Sequence, residues 1–470
     1  MVSGLWAVVA VAATLAVFVW WGVRARYAGD VEDYVVARNS QSAATLGLSF
    51  LAAGMGAWIL FAPPEVGAGI GMVGVAGYAV GAAAPFVVFG LLGRHIRAVL
   101  PSGHSLPEFL RLRFGAGFAT YVGVVSLLYM LFFVTAELTA IGAVTAILTD
   151  VSGRAVILAV AAATLAYTTV GGLRASLRTD RLQAWLILAL LAAAATAVLG
   201  VGTGPSPAAP VALPSAPANV GVSVAITLVI AVTAANLLHQ GYWQRVWAAR
   251  DDAALRRGTA IGAVATIPVV VLLGFWGAHA AGSGLALGQP PAPFFASIGG
   301  APQWLLAPVL VLALALVASS VDTLQTGLAS ILVAQRRGLT LTGARVLTVA
   351  LTVPAVAVAL QGFSVLQLFL VADLLCAATV VPALSCLWRR ATAAGALAGA
   401  VSGLAGAVLA GVVAEGGWAG AALVTMPGAV PTLPPFAGAL AASAVVTVVV
   451  SLAGRRVTDV AEVGAGVPAL

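Results

Sequence analysis

Ala52-Ala-Gly-Met-Gly-Ala-Trp58 interrupts an apolar stretch that Pro63-Pro64 then close. Asn236-Leu-Leu-His-Gln-Gly-Tyr-Trp243 interrupts a second. Glycine and polar side chains weaken a helix at mid-membrane depth, where no water replaces a lost backbone hydrogen bond. The two interruptions lie five apolar segments apart. Two sets of five helices, each opening on an interrupted helix, form the pattern of an inverted-repeat transporter with its site at the breaks. Small residues also let helices pack closely, and the glycines alone do not choose between the two readings.

The composition demands a membrane. Hydrophobic residues make up 61% of the 470 and charged residues 8%, whereas a soluble domain carries about 25% charge. A spanning helix needs about 20 mostly apolar residues. Thirteen segments qualify: 4–23, 43–62, 67–93, 117–149, 154–171, 179–203, 219–242, 257–282, 303–335, 343–361, 364–387, 391–412 and 435–453. The expected fold is therefore an all-α polytopic membrane protein of about 13 transmembrane helices. Its expected organisation is a first helix and loop (1–42), two repeats (43–203 and 204–387), and further helices with a tail (388–470). No stretch between spans is long enough to hold a core of its own, which predicts no attached catalytic or signalling module. The tail after Arg456 is expected to be disordered.

Charge sets the orientation. All 22 basic residues are Arg, and they fall in alternate gaps. Arg24, Arg26 and Arg38 follow the first span; Arg94, Arg97, Arg111 and Arg113 the third; Arg174, Arg178 and Arg181 the fifth. Arg245, Arg250, Arg256 and Arg257 follow the seventh; Arg336, Arg337 and Arg345 the ninth; Arg389 and Arg390 the eleventh; Arg455 and Arg456 the last. Arg154 breaks the alternation. Basic loops stay in the cytoplasm, so the N-terminus is expected outside and the C-terminus inside a bacterial-type cytoplasmic (inner) membrane. The net charge of +7 then faces anionic lipid and implies no nucleic-acid partner. The first segment lacks the basic N-terminal flank of a signal peptide. Cys376 and Cys386 share one apolar segment and read as core residues.

Ionisable groups inside spans mark pathways or sites. Glu137 lies in Phe132-Phe-Val-Thr-Ala-Glu-Leu-Thr139, Asp322 in Ala318-Ser-Ser-Val-Asp-Thr323, Asp373 in the eleventh span and Asp180 at the expected start of the sixth. Asp180 has a second reading, as a helix cap. Ser319, Ser320 and Thr323 place hydroxyls beside Asp322, as a hard cation would require, although a Ser pair also bonds its own backbone. Ser105-Leu-Pro-Glu-Phe-Leu-Arg-Leu-Arg-Phe114 reads as a short interfacial helix with Pro107 in its first turn. No phosphate-cradling loop, His-Glu-x-x-His or Cys-x-x-Cys is present, so an enzyme is not expected, nor any cofactor.

Tyr167-Thr-Thr-Val-Gly-Gly-Leu-Arg-Ala-Ser-Leu-Arg-Thr-Asp-Arg-Leu-Gln183 resembles the signature of the sodium:solute symporter family, whose members carry solutes such as proline, galactose, pantothenate and urea. Further matches stand in order: Asp33-Tyr-Val-Val-Ala-Arg38, Gly47-Leu-Ser49 with Trp58, Leu106–Gly115, Gln244-Arg-Val-Trp-Ala-Ala-Arg-Asp251, and Ser319–Thr323. The resemblance covers roughly residues 30–400. It implies a five-plus-five inverted-repeat (LeuT-like) core and Na⁺-coupled symport of a small organic solute into the cell by alternating access. H⁺ coupling, or a membrane sensor of the same fold, is the alternative. Carried over residue by residue, one Na⁺ would meet carbonyls of Ala52, Met55 and Leu316 and hydroxyls of Ser319 and Ser320. A second cation or release path would use Asp180, Ser319, Asp322 and Thr323. Substrate residues are expected at the breaks: Gly54, Trp58, Glu137, Asn236, His239, Gln240 and Tyr242, with Gln367 further along. Glu137 departs from the family, where many members carry an amide or small residue, and so points to an amine-bearing solute or to a proton.

Cysteine labelling tests the orientation. After removal of Cys376 and Cys386, Ser215→Cys is expected to react with an impermeant reagent from outside and Ala253→Cys from inside only. The reverse pattern contradicts the charge argument.

Overall fold

A computed structural model describes the chain except for residues 26–29, 202–212, 289, 336–338, 364, 419–431, 455–456 and 465–470. Among the described residues, eleven helices are long and apolar enough to cross a membrane, and one bent pair forms a twelfth span. The first is α1 (Gly4–Val23), and a short helix α2 (Val31–Val35) follows in the loop. The bent pair is α3 (Ala43–Gly54) with Ala57–Leu60 and α4 (Ala62–Gly69), turned by 57°. Next come α5 (Met72–Val99), the short α6 (Leu106–Phe114), α7 (Ala116–Leu148) and α8 (Gly153–Val201).

A straight helix of 49 residues would be about 74 Å long, more than twice the hydrocarbon core. Gly172 resolves this by leaving helical geometry at φ 52°, ψ −140°. Any Cβ at this position would also collide with the Tyr34 carbonyl. Two helical limbs therefore meet at Gly172.

The rest are α9 (Ala218–Leu237), α10 (Gln240–Ala248), α11 (Asp252–Gly282), α12 (Pro293–Ile298), α13 (Gln303–Gln335), α14 (Leu341–Ala359), α15 (Val365–Leu384), α16 (Ala393–Glu415) and α17 (Leu433–Ala453). Two groups of helices form. In one, α11 packs on α3, α4 and α5, and α9 on α5. Backbones touch there, since a Cβ on Gly67 would strike the Gly274 carbonyl and one on Gly277 the Pro64 carbonyl. In the other, α13 packs on α7, α8 and α14. Each group draws helices from both 43–203 and 204–387.

The Arg-bearing gaps meet on one face. Arg97 reaches Asn39 (3.0 Å) and Asp252 (3.2 Å), Arg250 N–H donates to the Gln41 carbonyl (2.9 Å), and Arg113 donates to the Ala391 carbonyl (2.8 Å). On the opposite face Val2 N–H donates to the Leu148 carbonyl (2.8 Å) and Ala216 N–H to the Ile70 carbonyl (3.1 Å).

Several boundaries differ from the sequence reading. The second span continues beyond its break to Gly69, so the third starts at Met72 rather than at 67. The sixth span starts at Gly172, which puts Asp180 about two turns inside the helix and removes its reading as a cap. The seventh resumes as α10 and runs to Ala248, so Arg245 lies in a helix and not in a loop. The tail is partly ordered: Thr458 N–H donates to the Arg389 carbonyl (2.9 Å), and Val460 is buried.

Residue His104, in the loop before α6, is fully buried between two carboxylates. Its Nδ1 lies 3.0 Å from Glu108 and its Nε2 2.5 Å from Glu32, which also pairs with Arg38. Burial disfavours the charged imidazolium, but the two carboxylates outweigh it and raise the pKa above the usual histidine value. Stability from this cluster is then complete below about pH 6.5, the ordinary histidine value, and is lost as pH rises through the higher folded value. Thermal unfolding in detergent should therefore weaken with rising pH across that window, and His104→Gln should flatten the slope. An unchanged slope in the variant contradicts the assignment.

Candidate functional site

The first break sits between Gly54 and Ala57. Met55 turns out of the helix at φ −110°, ψ 90°, and Gly56 is extended. The turn that follows exposes N–H groups with no helical partner. Glu137, in the middle of α7, answers one of them: its Oε2 accepts from Ala57 N–H at 2.7 Å. A carboxylate at a helix N-terminus also suits the local dipole. Gly56 is required here, because a Cβ would occupy the place of the Glu137 carboxyl group. Glu137 is fully buried, and its other oxygen has no hydrogen-bond partner. The Trp58 indole N–H is also buried and unpartnered, and its ring stacks on Tyr78 at 5.3 Å.

The second break sits at Leu238–His239. The His239 Nδ1 accepts from Gly241 N–H at 3.1 Å, which caps α10 and leaves the ring proton on Nε2, itself unpartnered. The ring stacks on Tyr242 at 4.4 Å and meets Tyr129 and Phe133 edge-on. The Tyr242 hydroxyl lies against Gly54, 3.1 Å from where a Cβ would stand, so the two breaks touch. Gly54, Trp58, Glu137, His239 and Tyr242 thus come together. The two amides are engaged elsewhere. Asn236 Nδ2 donates to the Val232 carbonyl of its own helix (2.8 Å), and Gln240 donates to the His104 carbonyl (2.7 Å). The Gln367 side chain lies outside the described residues.

A buried charge cluster braces the region below the breaks. Asp180 accepts from Ser49 on α3 (2.5 Å), Ser319 on α13 (2.7 Å) and Arg245 on α10 (2.7 Å). Arg245 is fully buried and spends its remaining donors on Ser49, Thr323 and the Gly241 carbonyl. Asp322 accepts from Tyr167 (2.6 Å) on one limb of α8 and from Ser176 (2.6 Å) on the other, so it clasps the bend at Gly172. Two carboxylates and one guanidinium leave one negative charge in surplus if both acids ionise. Burial demands that a proton or a cation offset it. Close by, the Ser320 hydroxyl is buried with no partner. Ala52, Met55 and Leu316 are also buried, with α13 packed against α3 and the turn at the break.

The sequence reading counted Arg245 as loop charge and missed its role. The available signal was the run Tyr242-Trp-Gln-Arg-Val-Trp247, in which apolar residues surround the Arg without a turn residue.

A cavity of about 790 Å³ opens on the face that carries Val2 and Leu148. Its lining includes Phe61, Glu65, Thr139 and Arg154, and Thr139 lies two residues beyond Glu137. Two further acids of the spans are Glu65, on this cavity wall, and the buried Asp373. Neither acid has a hydrogen-bond or ion-pair partner among the described residues.

No protein-family model matches the sequence. Over 355 residues, 74% of this chain and 68% of the other, it is 29% identical to the spermidine transporter DUR31 of Candida albicans. A Na⁺-coupled sialic acid symporter in its substrate-bound outward-open state superposes with a TM-score of 0.75 at 12% identity, covering 97% of this chain and 99% of that one. Mhp1, a nucleobase-cation-symport-1 family transporter in a closed conformation with bromovinylhydantoin bound, gives 0.58 at 15% identity, covering 89% and 95%. The fold is the all-α LeuT-type core with broken helices. The proteins it is similar to are transporters rather than enzymes.

The Arg245–Asp180 pair makes a stability prediction. Arg245→Gln strands a buried carboxylate and should cost about 3–5 kcal/mol. Adding Asp180→Asn should recover part of that loss in thermal unfolding in detergent. A double variant less stable than Arg245→Gln alone contradicts the pairing.

Proposed function

We propose that this chain is a secondary active transporter of the sodium:solute symporter type. It carries an organic cation of the polyamine class into the cell together with Na⁺. The observation that carries the reading is the free, buried oxygen of Glu137 at the first break, next to Trp58. An ammonium group satisfies an unpaired carboxylate and also binds aromatic faces. Glu65, on the wall of the cavity, adds a carboxyl group along the approach, as a substrate with several ammonium groups needs. The similarity to a spermidine transporter supports the same class.

For the coupling ion, the reading places Na⁺ among carbonyls of Ala52, Met55 and Leu316 and hydroxyls of Ser319 and Ser320. The unpartnered Ser320 hydroxyl supports it. Carbonyls at the end of α3 have lost their helical donors and suit a hard cation. Beside Asp180 and Thr323 the Arg245 guanidinium already supplies a fixed positive charge. One coupling Na⁺ is therefore favoured over two, with Asp180 on its release path. The chain would sit in the cytoplasmic membrane of a bacterial-type cell with its Arg-rich face inside. Rocking of the α3–α4–α5–α9–α11 group against the α7–α8–α13–α14 group would expose the breaks alternately to each side. Proton coupling is the second reading, favoured by the surplus charge at Asp322.

Ser319→Ala with Ser320→Ala removes two hydroxyls worth about 1 kcal/mol each or more, which is about tenfold or more in Na⁺ affinity. Glu137→Gln keeps an acceptor for the Ala57 N–H but removes the charge. It should raise KM for a polyamine roughly tenfold or more and leave the Na⁺ half-saturation unchanged. Both are measured as uptake in proteoliposomes. Loss of the pH dependence of uptake in Glu137→Gln would instead make this residue the proton carrier. An unchanged KM and pH profile would remove it from the site.

A further inference from the structure

The Arg-rich face holds a second cavity, of about 580 Å³, that the transport reading does not use. It lies between the end of α1, the start of α3 and the second limb of α8, and Arg174, Arg178 and Arg181 line it. Their spacing of four and three residues puts all three on one helix face, where like charges repel. Asp33 offsets Arg174, at 2.6 Å. Arg178 has no carboxylate partner among the described residues. Its guanidinium is held 4.9 Å from the Trp21 ring centroid, and it donates to the Arg24 carbonyl at 3.0 Å. Arg181 is exposed and makes no hydrogen bond or ion pair among the described residues. The cavity lining contains no Asp or Glu.

Two guanidiniums without counter-charge, one already oriented by an aromatic ring, form a ready fork for phosphate oxygens. The rim indicates where the phosphate comes from. Trp185 lies one turn beyond Arg181 and is 64% exposed. Trp20 is 51% exposed under the Arg24 guanidinium, 3.9 Å from its ring centroid. Exposed Trp beside Arg at a helix end marks the headgroup level of a bilayer. Basic hollows between spanning helices on the cytoplasmic side hold anionic headgroups.

We propose that this cavity binds the phosphate group of an anionic phospholipid. The bound headgroup ties α1 to the second limb of α8. That limb starts at the Gly172 bend, and it presents Arg181 outward and the adjacent Asp180 inward to Arg245. Lipid composition would thereby act on the limb that carries the buried charge cluster.

The test uses the full chain in nanodiscs and native mass spectrometry. The wild type should retain phosphatidylglycerol over phosphatidylcholine. Arg178→Gln with Arg181→Gln should lower that retention about tenfold, the loss of at least one charge-assisted contact. Arg389→Gln with Arg390→Gln removes the same charge from the same face and should leave retention unchanged. Arg181→Gln alone, at an exposed position, serves if the double variant does not fold, and should give a smaller loss in the same direction. A second arm measures thermal stabilisation by inorganic phosphate. Stabilisation that vanishes in the Arg178/Arg181 variant, without phosphatidylglycerol retention, keeps the phosphate site and moves its source to solution. Equal retention in the wild type and both Arg178/Arg181 variants, with no stabilisation by phosphate, overturns the proposal. So does an equal loss in the Arg389/Arg390 variant, which would reduce the effect to general surface charge.

Discussion

A helix broken inside a membrane exposes backbone groups that lipid cannot satisfy, and the rest of this structure is arranged around that constraint. The chain breaks two spans at mid-depth and answers each break with an ionisable side chain from within the bundle. Glu137 of α7 accepts from the turn after the first break. Arg245, just past the second, bonds back to the Gly241 carbonyl and across to Asp180. Glu137 joins α7 to the turn after α3, and Arg245 joins α10 to both α8 and α3. The same contacts that make the breaks tolerable therefore also bridge the parts that a rocking motion would separate.

The electrostatic balance gives those contacts a direction. Near the first break a carboxylate oxygen is left free, and near the second the Asp180–Asp322–Arg245 cluster carries one surplus negative charge if both acids ionise. Both are stable only when something positive arrives. In the proposed transport cycle a cationic solute would meet the first need, and a proton or cation the second. Ser49, on the helix that ends at the first break, and Ser319 of α13 both donate to Asp180 and so connect the levels.

Much of this was legible in the residues. The Arg alternation anticipated which loops share a face, because charge is costly in lipid and must gather in loops. The glycines and polar residues of 52–58 and 236–243 marked the breaks because they weaken a helix at mid-membrane depth. Other features depended on tertiary context. Arg245 read as loop charge because a lone Arg after an apolar run normally is one, and only burial between Asp180 and Thr323 makes it a core residue. A cap was one of two readings open for Asp180, because the true start of its helix is set by a positive φ at Gly172, seven residues earlier than the apolar run suggests. Asn236 and Gln240 stood in the right segment, but side-chain direction decided their partners, and sequence spacing does not carry it.

The measurement that bears most directly on the account is accumulation of labelled spermidine in proteoliposomes under an imposed Na⁺ gradient, with no pH gradient or membrane potential. The account predicts accumulation above equilibrium that collapses when the Na⁺ gradient is dissipated and is competed by other polyamines more strongly than by neutral solutes of similar size. Equilibration without accumulation, or equal competition by neutral solutes, would contradict it.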